Sequence, residues 1–159
     1  MIEAKQNELT MVGEYRQSGR NVEMRVDAAV ALKSMMTEAR RAGIGIIPIS
    51  GFRSVKYQAK LFGSAVNKHG SAEAAIQWVA RPGESEHHTG LAVDLGDEKD
   101  GMHDVEPGFE STKAFEWLVG NAARFGFEMS FPRGNSRGIN YEPWHWRFVG
   151  TVEAKQVFQ

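Results

Sequence analysis

The stretch Ser85-Glu86-His87-His88-Thr89-Gly90-Leu91-Ala92-Val93-Asp94 sets two histidines, a hydroxyl pair and the Asp94 carboxylate around Gly90, then runs into a short apolar strand. An imidazole from His87 or His88 and a carboxylate from Asp94 suit a metal ion. Gly90 lets the backbone turn tightly, so a loop residue and a strand residue can face one ion. The small Ala92 leaves room beside it. A third ligand has to come from elsewhere, and Tyr141-Glu142-Pro143-Trp144-His145-Trp146 offers His145. A catalytic zinc takes three protein ligands and keeps one position open for water. The two stretches are therefore expected to meet over a zinc ion.

Composition narrows the alternatives. The chain has no cysteine, which excludes disulfides and thiolate metal sites and leaves His, Asp and Glu as ligands. With 159 residues and 42% hydrophobic content it is expected to form one domain around one core. Lys plus Arg (19) nearly balances Asp plus Glu (20), for a formal net charge of -1. Neither a basic excess nor a basic stripe is present, so no nucleic-acid partner is expected. No window reaches the ~18 apolar residues of a membrane span, and Met1 to Thr10 lacks the apolar core of a signal peptide.

The remaining segments frame the two stretches. Residues 1–21 are polar and read as a loosely held entry segment, separate from a domain over residues 22–159. From Asp27 apolar residues recur at helical spacing until Gly43. Ile44 to Ser50 suits a buried strand, and Pro48 argues for an edge or a bulge. Ser54 can cap a helix to about Lys68, and Ser71 a second one reaching Ala80. Gly96 to Gly108 is an acidic, turn-rich loop whose spacing fails as a calcium site, with His103 an exposed bystander. Thr112 to Phe125 reads as a helix and Phe127 to Phe131 as a strand. Residues 132–135 carry hairpin chemistry, and Ile139 to Val149 returns as a strand broken near Pro143. Early helices and a late, small antiparallel sheet predict an α+β domain, with helices packed on one side and the metal site at the sheet.

Glu142 and His145 would point to opposite faces of an unbroken strand. Pro143 can bend the segment so that both reach one site, where Glu142 would take a proton from water and return it to a leaving amine. Trp144 and Trp146 are expected to wall that site.

Ser-x-His-x-x-Gly-x-Ala-x-Asp, carried by Ser85, His87, Gly90, Ala92 and Asp94, resembles the signature of the zinc D,D-carboxypeptidases of the VanY type. Glu-x-x-His-Trp at Glu142, His145 and Trp146 resembles that family's second signature. Ser50-Gly51-Phe52-Arg53-Ser54 with Gln58, and Ala80-Arg81-Pro82-Gly83, are similar to further landmarks in the same order. The likeness runs from about Asp27 to Gly150. It implies hydrolysis of a terminal D-alanine, or a related terminal residue, from peptidoglycan stem peptides by a zinc-activated water. By matching position, one zinc per chain would be held by His87, Asp94 and His145. Glu142 would be the general base and acid, and Arg53 would stabilise the oxyanion or hold the substrate carboxylate. Ser85 and Gln58 would help bind the substrate's end. His88 falls at a variable position beside the ligand.

After Gly126-Phe127 many relatives carry a basic residue where this chain has Ser130. The same likeness admits a phage-lysin type of endopeptidase, and a zinc-binding module without catalysis is a further alternative that the retained Glu142 counts against. A monomer is expected. The substrate implies action outside the cytoplasm, while a role in recycling wall fragments inside the cell stays open.

Overall fold

A computed structural model describes residues 1–159 as an α+β domain with a two-stranded and a four-stranded antiparallel sheet. The larger sheet has the order β3 (Ile46–Ser50), β4 (Ala92–Asp97), β6 (His145–Phe148), β5 (Phe127–Met129). Alternation along these strands sorts two faces. Val93, Leu95, Phe127, Trp146 and Phe148 join one apolar cluster with Ala28, Leu32 and Met35 of α1 (Val26–Arg41) and Ala114 and Leu118 of α4 (Lys113–Asn121). Asp94 and His145 lie on the other face, paired directly across β4 and β6.

The local signals explain the helices. Ser54 caps α2 (Val55–His69) by accepting from the Tyr57 amide at 3.1 Å, and Thr112 does the same for α4 through Phe115 at 3.2 Å. Ser71 also acts as a cap, at 3.2 Å from the Ala74 amide, but α3 (Ala72–Ala75) makes a single turn instead of reaching Ala80. Pro48 sits on the edge strand β3, beside a register shift between Pro48 and Ser50, as its missing amide requires. A short helix, α5 (Val152–Val157), closes the chain and puts Ala154 into the core.

The first residues do not form a loose segment. Leu9–Tyr15 (β1) pairs with Arg20–Arg25 (β2), and Val12, Val22 and Met24 are buried in the main core. The hairpin is also stitched to the site-bearing loops. The Phe52 amide donates to Glu23 O at 2.7 Å, and the Arg25 amide donates to Gly90 O at 2.8 Å. A β-carbon on Gly51 would strike the Glu23 carbonyl oxygen. Glycine there allows the two backbones to touch.

The second signature is also built differently from the expected long strand. β6 begins only at His145, and residues 130–144 form an extended connection from β5 instead of a tight hairpin. The His145 amide donates to Glu142 O at 3.2 Å, so Glu142 lies in a turn just before the strand. That turn removes the opposite-face difficulty.

Candidate metal centre

Three elements deliver the ligand candidates. The turn Glu86–Thr89 supplies His87, β4 supplies Asp94, and the first residue of β6 supplies His145. All three are buried, and one ligand atom from each lies within 4.8 Å of the others. Asp94 Oδ1 is 3.3 Å from His87 Nε2 and 3.1 Å from His145 Nδ1. The two imidazoles meet edge to face, with ring centroids 4.8 Å apart.

The donor chemistry fits a cation. His87 Nδ1 is 2.6 Å from Gly51 O, so that nitrogen carries the proton and donates it. Nε2 is then left with a free lone pair, buried and with no hydrogen-bond partner, aimed at the cluster. Burial, together with the Arg53 guanidinium, lowers the His87 pKa to about 4 against the pull of Asp94, keeping the ring neutral. Asp94 stays ionised despite burial, because the His145 imidazolium and the Arg53 guanidinium hold its pKa well below the usual carboxylate range. Burial disfavours charge on His145, yet hydrogen bonds to Asp94 and Glu86 raise its pKa to about 10. The pocket thus demands positive charge, which the imidazolium supplies here and a metal ion can supply instead.

Around the cluster lies a cleft lined by Arg53, Gln58, Ser85, Phe131, Arg137 and Glu142, among others. Glu142 Oε2 is 3.9 Å from His145 Nδ1. Its desolvation and the nearby Asp94 and Glu86 charges raise its pKa to about 7, against His145 and Arg53. Arg53 Nη2 donates to Asp94 Oδ2 at 3.1 Å, and Nη1 lies 3.4 Å from Gln58 Oε1. Gln58 is itself tied to Ala80 O at 2.9 Å, which links the guanidinium to the loop before the central motif.

The chain matches the model of the family described as D-alanyl-D-alanine carboxypeptidase, VanY, over residues 21–151. It belongs to the VanY family. A D-alanyl-D-alanine carboxypeptidase of Enterococcus faecalis is 32% identical over 155 residues, covering 91% of this chain and 54% of that one. The chain spans about half the length of the curated relatives it matches. The LdcB LD-carboxypeptidase superposes with a TM-score of 0.81 at 33% identity, over 97% of this chain and 73% of that one. The vancomycin resistance D,D-pentapeptidase VanY in complex with Zn(II) gives 0.71 at 29% identity, over 99% and 88%.

Against the VanY signatures, the residues anticipated from sequence gather at one place. His87, Asp94, His145, Glu142, Arg53, Gln58 and Ser85 all border the cluster or its cleft. Trp144 and Trp146 do not. Strand alternation sends Trp146 to the face opposite His145, where it is buried, and Trp144, in the turn before β6, packs on the core. Ile76, Trp78, Phe131 and Ile139 form the apolar walls instead. His88 is fully buried and bridges two loops: Nδ1 donates to Arg53 O at 2.7 Å and Nε2 accepts from the Gly83 amide at 3.0 Å. Both its nitrogens are used, so it cannot also bind metal.

Sequence reading passed over Glu86 entirely. Its carboxylate is 1% exposed and contacts His145, Ser130, Arg137 and Arg147. Burial opposes its ionisation, but His145, Ser130 and Arg147 bring its pKa down to about 2. Its place between two motif positions was the available signal, since Ser85 and His87 both turn toward the site region.

Proposed function

We propose that this chain is a zinc metallopeptidase that removes the terminal D-alanine, or a related terminal residue, from peptidoglycan stem peptides. The observation that carries this is the convergence of two imidazoles, one of them with an orphaned lone pair, and one carboxylate beside a carboxyl group tuned to about 7. His87 Nε2, Asp94 Oδ1 and His145 Nδ1 would hold the ion. Zinc, when bound, acts as a Lewis acid that polarises the scissile carbonyl and acidifies water.

The chain's own groups do the rest. Glu142, ionised near neutral pH, accepts a proton from the attacking water and passes it to the leaving amine. A carboxyl group with an ordinary pKa would be a weaker base for this step. Arg53, held by Asp94 and Gln58, offers remaining N–H donors to the oxyanion or to the substrate carboxylate. Its Nε is buried without a partner, which suits a donor reserved for a bound ligand. Ser85 and Gln58, both lining the cleft, help receive the substrate's end. The catalytic unit includes the β1–β2 hairpin, whose Val12, Val22 and Met24 are part of its core, and acts as a monomer and, from its substrate, outside the cytoplasm. No helix of the structure is long and apolar enough to cross a membrane.

The test is zinc content, followed by cleavage of a pentapeptide ending in D-Ala-D-Ala with and without a chelator. One zinc per chain and chelator-sensitive release of a single D-alanine are expected. Release of an internal fragment instead would point to an endopeptidase. Absence of zinc after metal loading would overturn the reading.

A further inference from the structure

We propose that Glu86 is a positioning residue for the centre just described: it presents His145 to the metal through Nδ1 and so sets metal affinity and turnover. This rests on the zinc peptidase reading. His145 has two nitrogens, and the protein has to choose which one faces the ion. Glu86 Oε2 stands 2.9 Å from His145 Nε2, on the side of the ring away from Asp94. With Nε2–H given to Glu86, the other nitrogen is left to the donor set of Asp94 and His87.

Glu86 can hold that role because it is itself immobilised. Its Oε2 also accepts from the Ser130 hydroxyl at 2.6 Å, while Oε1 takes Arg137 at 2.8 Å and Arg147 at 3.0 Å. Two guanidiniums offset the cost of burying the charge. Those contacts also occupy its oxygens, so Glu86 serves the ligand and does not replace it. The Phe131 ring, 4.9 Å from the imidazole centroid, closes one side of the ring and limits its rotation. Ser130 thereby acquires a use: it points inward to Glu86, and the positive charge arrives from Arg137 and Arg147 instead.

The proposal is tested on the full chain with Glu86→Gln and Ser130→Ala. The measurements are zinc affinity by competition with a chromophoric chelator, the visible absorption of the cobalt-substituted protein, kcat and KM, and thermal melting. Glu86→Gln should weaken zinc binding by about 10–100-fold, alter the cobalt spectrum, and lower kcat with KM little changed. Ser130→Ala should shift zinc affinity in the same direction, by about 2–5-fold, from losing one of the bonds that fix Glu86. A Glu86→Gln protein with wild-type zinc affinity and cobalt spectrum would overturn the proposal, even if its melting temperature fell. If Glu86→Gln does not fold, unchanged zinc affinity in folded Ser130→Ala would overturn it. Wild-type protein that binds no zinc would overturn the underlying reading along with it.

Discussion

Asp94 and His145 stand opposite each other in the pairing of β4 with β6, with Oδ1 of one 3.1 Å from Nδ1 of the other. Strand register alone therefore brings together two groups 51 residues apart in the chain. A slip of one residue would turn His145 into the core and Trp146 into the cleft. Asp94 also faces Ser50 on β3, just before the turn that carries Arg53. One carboxylate thus joins the three segments of the centre.

Asp94→Ala should abolish stoichiometric metal. It removes a proposed ligand and also frees Arg53, whose Nη2 Asp94 holds at 3.1 Å. Metal analysis after gel filtration should find well under one zinc per chain, and turnover should fall to background. A variant that keeps one zinc would remove Asp94 from the ligand set.

Glu142→Gln should retain zinc while losing about 10²–10⁴-fold in kcat. The wild-type pH profile carries the same signature. The pKa of Glu142 is raised to about 7, so its basic form accumulates as pH rises through that value. The kcat/KM profile should show an acid limb at about 7 or below, since added positive charge in the loaded enzyme would lower it. In Glu142→Gln this limb should be gone.

Stability of the metal-free chain should respond in the opposite sense. The folded state raises the Glu142 pKa above its ordinary value of 4.5. Protonated Glu142 therefore stabilises the fold fully below about 4.5, and that contribution is lost as pH rises through about 7. At pH 8 the metal-free Glu142→Gln variant should be more stable than wild type by about 1–3 kcal/mol. Near pH 4 the two should converge. Urea titrations in chelator at both pH values would measure this.

His88→Ala should leave zinc bound and cost stability instead. Arg53 O and the Gly83 amide would each lose a buried partner, a penalty of about 2–4 kcal/mol for the pair. Because Arg53 sits on that bridge, KM should rise more than kcat falls. Loss of zinc in a folded His88→Ala protein would contradict the bridging role.

Removing residues 1–19 should destroy cooperative folding. It deletes β1, leaves β2 unpaired, and exposes Val22 and Met24, which are now 1% and 0% accessible. The Glu23 carbonyl that positions Phe52 would lose its support. Broad thermal melting and weak metal retention are expected. A truncated protein with a sharp transition and full zinc content would show that the first strand is dispensable.

Much of the centre was legible from residue type and spacing. Metal binding tolerates few side chains, so His87, Asp94 and His145 stand out among a limited number of histidines and acids in a chain without cysteine. The caps at Ser54 and Ser71 were legible for a similar reason, because a hydroxyl meeting helical amides is a local event. Elsewhere the signal was not local. The β1–β2 hairpin is polar on its exposed side and is held by the few residues it buries against α1, so its sequence read as a loose segment. Its stability comes from tertiary packing, which outweighs weak strand patterning.

The sequence by itself determined the chemistry available: two imidazoles, two carboxyl groups and a guanidinium, in an α+β frame. Only the tertiary structure decided how they are used. The phase of β6, beginning at His145, sent Trp146 to the core. The turn at Pro143 and Trp144 put Glu142 on the same side as His145. Packing of β5, β6 and the following loops around one buried oxygen pair made Glu86 a partner of His145. The reason is physical: side-chain type is written along the chain, but direction and partnership depend on strand phase, register and burial, which arise only when distant segments pair.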